Sequence, residues 1–270
     1  MQSQQIYKLQ QLFVIMNGRV LVFVYCFFAF AAIGQDAIDN LDRDLFQSDR
    51  LIGYEDLTFK WTLSGQKQVL LNEGINYLAE KDPQIALQNL NDFIKLDSGF
   101  WVAFYYRGVC LKQLGRFRKA QQNLLAAVKL NPTSYEANIE LGKVYHLLGF
   151  SDREAEKQYK KATTIKANDA IPLYLLGDLA FRAGNRRQAI RHYKESLAVD
   201  PNFSDAKIKL GLLDVVKTQD GADLLPYLNQ VLSTDTLNQT ALSLRSMLLA
   251  KDNPERAIAD FSKLIKLNPA

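Results

Sequence analysis

Beyond its first 34 residues, the chain carries one cysteine and two histidines, Cys110, His146 and His192. A thiol does nucleophilic work only as a thiolate, and that needs a basic group beside it. The two histidines stand at different phases of later segments, so the sequence pairs neither with Cys110. Cys110 lies in an amphipathic helical pattern and is predicted to be a buried structural thiol. No Cys, Asp or Glu cluster surrounds His146 or His192 at ligand spacing, so surface or interhelical places are expected for both. The sequence shows no phosphate loop, nucleophile elbow or metal motif. The expectation is a non-enzyme with no cofactor.

Charge points the same way. The 270 residues hold 33 Lys+Arg against 29 Asp+Glu, too even a balance for a nucleic-acid surface. The clusters Arg116–Lys119 and Arg186–Arg187 fall at turns, and Lys157, Lys160 and Lys161 interleave with Glu154 and Glu156. These read as solvated faces. Two cysteines in all exclude a disulfide framework, and 48% apolar residues exclude wholesale disorder.

Fourteen apolar residues run from Val20 to Ile33, behind Arg19 and ahead of Ala32-Ile33-Gly34. A positive start, a short apolar middle and a small-residue exit make a secretory signal peptide, with cleavage expected before Gln35. As a helix the run reaches only about 21 Å, short of a ~30 Å hydrocarbon core. The alternative is an uncleaved anchor over residues 12–33, with Arg19 reaching back to the interface. Either reading keeps Lys8 and Arg19 inside and puts Asp36, Asp39, Asp42 and Asp44 outside. Met16 is a second candidate start. Residues 35–66 form an aperiodic leader in which Phe59 and Trp61 are candidates for an N-terminal lid.

From residue 67 to 270 the chain repeats itself. Glycines recur at Gly74, Gly108, Gly142, Gly177 and Gly211, and alanines at Ala86, Ala120, Ala155, Ala189 and Ala257. Leu90, Leu124, Tyr159, Tyr193, Tyr227 and Phe261 make a third column. Pro132, Pro201 and Pro269 close alternate units. The shared period is 34 residues, with one extra between Gly149 and Ala155. Each unit reads as two helices broken by a glycine suited to the left-handed position, as at Gly115, Gly149 and Gly184. Unit five departs, with Asp223 in the alanine column and Pro226 tolerable only in a first helical turn. Unit six has Ser246 in the glycine column. The last helix, about 254–267, is expected to put Ala257, Phe261 and Leu264 on one face and Arg256, Asp260, Lys263 and Lys266 on the other.

This pattern resembles the tetratricopeptide repeat family, with units starting near 67, 101, 135, 170, 204 and 238. The resemblance implies an all-α fold, a right-handed α-solenoid of about six stacked helix–turn–helix units. It also implies a concave groove lined by the first helix of each unit. Carried across, that groove takes Val102, Tyr105, Tyr106 and Val109, then Glu136, Ile139, Glu140, Lys143 and His146. Ile171, Tyr174, Leu175, Asp178 and Phe181 follow, then Lys209 and Leu212. Such a surface suits an extended or helical peptide from a protein partner. The competing expectation is that the aromatic rings pack between helices. Leu71 and Ile75, or Tyr105 and Val109, stand where chaperone-clamping members carry Lys and Asn, so that role is not expected. The implied function is an exported scaffold or adaptor, with a membrane-tethered subunit of an envelope assembly or secretion complex as the alternative. An enzyme or its regulatory domain is a distant third. Membrane contact is expected only through residues 12–33.

Overall fold

The computed structural model describes residues 63, 65–149, 152–218 and 220–267. Residues 1–34, expected from the sequence to be a signal peptide or anchor, and Phe59, Trp61 and Pro269 lie outside them. Among the described residues there are twelve α-helices, one 3-10 turn and no strand. No described helix is long and apolar enough to cross a membrane. The helices fall into two compact units divided between Phe203 and Ser204.

The first unit stacks four helix pairs: α1 (Gln66–Ala79) with α2 (Pro83–Leu96), α3 (Trp101–Gln113) with α4 (Phe117–Leu130), α5 (Tyr135–Leu148) with α6 (Asp152–Ile165), and α7 (Ala170–Arg182) with α8 (Arg186–Val199). α2, α4 and α6 also pack on the first helix of the next pair. The second unit holds α9 (Ser204–Thr218), the 3-10 turn Gly221–Leu224, α10 (Leu225–Thr234), α11 (Gln239–Leu249) and α12 (Pro254–Leu267).

The repeated columns are the places where paired helices come closest. A methyl group added at Gly108 would stand 2.6 Å from Leu124 Cγ, and one at Gly177 would stand 2.5 Å from a Tyr193 ring carbon. Gly74 faces Leu90 and Gly142 faces Tyr159 in the same way. Any side chain there would push the helices apart and open the core. Ala86, Ala120, Ala155 and Ala189 are fully buried on the second helices, and Ala257 nearly so.

Turns follow from local chemistry. Gly115, Gly149 and Gly184 have φ of +69°, +75° and +74°, as their spacing predicted. The matching position of the first pair is Lys81, also left-handed at φ 62°. Helices start on side-chain caps: Ser134 accepts from the Ala137 amide at 3.1 Å and Asn185 from the Gln188 amide at 3.1 Å. In the fifth pair Asp220 accepts from the Ala222 amide and starts a 3-10 turn in place of the first turn of helix. Pro226 then falls in the opening turn of α10, where its missing N–H costs nothing.

One expectation fails in α12. Asp260, placed by its spacing on the face with Arg256, Lys263 and Lys266, is buried and paired with Arg245 of α11. The amphipathic stripe is narrower than expected, because a buried arginine on the adjoining helix takes the carboxylate inward.

Candidate functional site

Arg107 fixes the orientation of α3. Its Nε donates to Asn123 Oδ1 of α4 at 2.6 Å, and its Nη1 donates to Asn91 Oδ1 of α2 at 3.1 Å. At about 100° per residue, Tyr105 and Val109 point some 200° away from Arg107, and Val102 and Lys112 about 140° away. These four therefore share the face turned from both second helices. Val102, Tyr105 and Val109, three of the positions expected to line a groove, lie on that side of α3.

They are buried there. Val102, Tyr105, Tyr106 and Val109 are each 3% exposed or less. Trp101, Tyr105 and Tyr106 form a ring cluster with centroid distances of 6.4 and 4.9 Å. Cys110 is a fully buried thiol outside any disulfide.

The next first helix brings charge to this face. Glu140 of α5 accepts from Lys112 Nζ of α3 at 2.7 Å and from Lys143 Nζ, one turn on, at 2.8 Å. All three side chains are nearly enclosed. Burial alone would raise the Glu140 carboxyl, but the two ammonium groups outweigh it and hold it well below its ordinary value, at about 2. The trio therefore holds two ammonium groups and one carboxylate out of water. Ile139 is fully buried on the same helix, while Glu136 at its start is half-buried. Lys112 was not among the sequence-predicted groove residues, although it stands at the twelfth position of its unit, the same place that singled out His146.

His146 is buried at the end of α5, and its carbonyl accepts from Arg182 Nη1 at 2.5 Å. Arg182 also pairs with Asp152. His192, on α8, is buried and lies 2.8 Å through Nδ1 from Glu195 Oε2.

On α7 the placement is different. Tyr174 is fully buried, 5.6 Å by centroid from Tyr193 and 5.3 Å from Phe203. It fills the interior of the helix stack, the second of the two readings its spacing allowed. Asp178 accepts from Tyr193 OH at 2.6 Å, so that carboxylate supports a core tyrosine. Leu175 is buried, and Ile171 and Phe181 are half-buried. Lys209 and Leu212 are buried on α9 in the second unit.

Among the described residues no three His, Cys, Asp or Glu side chains gather as a metal site. What this face gathers is buried apolar and aromatic side chains beside one ion trio.

The tetratricopeptide repeat family model matches residues 101–134 and 170–203. Among curated proteins, the BBSome complex member BBS4 of Bos taurus is 32% identical over 126 residues, 47% of this chain and 24% of that one. Anaphase-promoting complex subunit 7 of Arabidopsis thaliana is 24% identical over 193 residues, 70% of this chain and 34% of that one. The chain thus spans about a quarter to a third of the length of these relatives. Among solved structures, the type IV pilus biogenesis factor PilW is 22% identical with a TM-score of 0.59, covering 77% of this chain and 96% of its own. A tetratricopeptide repeat protein from Parabacteroides merdae is 16% identical with a TM-score of 0.57, covering 74% and 79%. At these identities the solved structures establish the fold alone. Together with the 34-residue columns and the close glycine contacts that explain them, these matches show tetratricopeptide repeats at residues 101–134 and 170–203 within a fold of the same helix-pair type.

Proposed function

We propose that this protein is an exported, non-catalytic scaffold that holds a segment of a partner polypeptide against the first-helix face of α3 and α5. The observation that carries this reading is the trio Lys112–Glu140–Lys143. Burying three charges is costly, and apolar residues of similar volume would hold two helices together at least as well. Ionic groups kept on this first-helix face are explained if they are there to recognise something. The repeat fold favours a protein as that something, because stacked repeats present long surfaces to polypeptides.

Export is supported by the run Val20–Ile33 behind Arg19. Cleavage after Gly34 would release the protein to the periplasm or the medium. Retention of residues 12–33 would instead hold it in the cytoplasmic membrane, facing outward. The second reading, a tethered subunit of an envelope assembly or secretion complex, is favoured by the fold shared with a pilus biogenesis factor.

The test is affinity capture from envelope extract with the wild-type chain and Lys143→Gln as baits, together with N-terminal sequencing of the cell-derived protein. The reading expects the bound partner to fall at least fivefold with Lys143→Gln and the mature chain to start at Gln35. Equal recovery of the same partners by both baits would sink the groove assignment. An intact Val20–Ile33 in membrane pellets would select the tether.

A further inference from the structure

We propose that copies of this chain associate head to tail, α12 of one copy receiving α1 of the next as α2 receives α3 and α4 receives α5. No residue of this joint belongs to the trio Lys112–Glu140–Lys143, so it stands whatever that face holds.

The support on α12 is one of register. α2 and α4 each carry the following first helix. On α2 the buried Leu90 lies between Leu87, three residues before it, and Ile94, four after, both half-buried. On α4 the buried Leu124 lies between half-buried Gln121 and buried Val128. Residues at this spacing share one flank of a helix. In α12 the same three places hold Ile258, Phe261 and Ile265. All three are apolar, as they are in α2. Yet Ile258 is 58% exposed, Ile265 is 41% exposed and Phe261 is half-buried. A helix that ends a stack in water carries a polar outer flank. α12 instead has the flank of an interior second helix.

α1 offers the other half. Val69 is 52% exposed, whereas its counterparts Ala103 of α3 and Ala137 of α5 are fully buried and Pro172 of α7 is buried. Four residues on, Glu73 is exposed where α5 and α7 bury Leu141 and Leu176. Val69 and Glu73 therefore mark the flank that α3, α5 and α7 turn to a preceding second helix.

Charge selects α1 of a second copy as the occupant. Arg107, the residue before Gly108, donates across the joint between repeats to Asn91, which directly follows the buried Leu90. Arg245 donates in the same way to Asn229, which directly follows the buried Leu228. In the head-to-tail joint the residue before the glycine is Glu73, and the residue after Phe261 is Ser262. Lys263 is adjacent and Lys266 lies one turn on, all of them exposed. The register that joins repeats within the chain thus sets an acidic residue of one copy against two basic residues of the other.

The test follows the mass of the full chain by sedimentation velocity from about 5 to 200 μM, because one helix pair buries only roughly 1,000 Å² and interfaces of that size are weak. The average mass should rise at least 1.5-fold across the range, and less in high salt. Val69→Glu and Ile258→Glu should each remain monomeric with unchanged helical circular dichroism. Mixed in equal amounts, they should form a heterodimer that stops at two, since each keeps one intact half. Glu73→Lys should weaken association at least threefold, and adding Lys263→Glu to the same chain should restore it. A wild type that stays monomeric overturns the proposal, as does a mixture that forms nothing. Association that survives Val69→Glu but not Ile258→Glu places α12 on a second α12, and survival in both places the contact elsewhere. Either result overturns the head-to-tail joint.

Discussion

Arg245 and Asp260 form a two-pronged buried pair within the second unit: Nε to Oδ2 at 2.8 Å and Nη2 to Oδ1 at 2.8 Å. The arginine immediately precedes Ser246, the glycine-column residue of its repeat. Arg107 holds the same register one residue before Gly108, and Asn123 takes the place of the aspartate. In both repeats the arginine also reaches an asparagine of the preceding second helix, Asn91 or Asn229. Removing one partner strands the other, so Asp260→Ala should lose about 3–5 kcal/mol in urea unfolding, because a buried guanidinium is left without its carboxylate. Other repeats place Leu141, Leu176 and Leu210 at this column. Arg107→Leu should therefore cost less than about 1.5 kcal/mol, since the asparagines it leaves behind are part-exposed and can turn to water.

Lys81 holds a left-handed conformation where later repeats use glycine. A side chain there costs roughly 1 kcal/mol. Lys81→Gly should raise the thermal midpoint, by about 0.5–1 kcal/mol in stability. The reverse change, Gly115→Lys, should lower it by a similar amount. A destabilised Lys81→Gly would contradict the turn geometry.

Glu140 sets an acid limb to stability. Its folded carboxyl is held at about 2 against an ordinary 4.5, so its contribution is complete above pH 4.5 and is lost as pH falls toward 2. Wild type should weaken steeply across that window. Glu140→Gln should show a flatter dependence there and be less stable at pH 7 by about 3–5 kcal/mol, with two lysines left facing each other. Parallel acid limbs for the two chains would place the trio in solvent.

Tyr174 and Ala189 report on the stack itself. Tyr174→Ala should cost about 3–5 kcal/mol, as expected for a large ring removed from a core. Ala189→Leu should cost about 1–3 kcal/mol by overpacking, and Lys160→Ala, on an exposed face, less than about 0.5. Similar losses for all three in denaturant would mean that the helical phase is misplaced. A stably folded Tyr174→Ala that lost partner capture would return this ring to the groove.

The sequence by itself determined the all-α class, the helix pairs and their turns. A 34-residue period is set by contacts between each unit and its neighbours, and the same side chains recur wherever the same close approach recurs. Gly108 against Leu124 and Gly177 against Tyr193 are that recurrence seen in space. Gly115, Gly149 and Gly184 were legible for a local reason, since the conformation belongs to the residue alone. Lys81 was not, because it accepts the same strain without the residue type that announces it. Only the tertiary structure decided which polar side chains meet. Glu140 lies 28 residues from Lys112, and Asp260 lies 15 from Arg245. Helical spacing places each residue on a face, but it does not say whether a charge on that face meets water or an opposite charge on the next helix. The same limit held for Tyr174, whose spacing fitted a groove and a core equally, until Tyr193 and Phe203 closed around it.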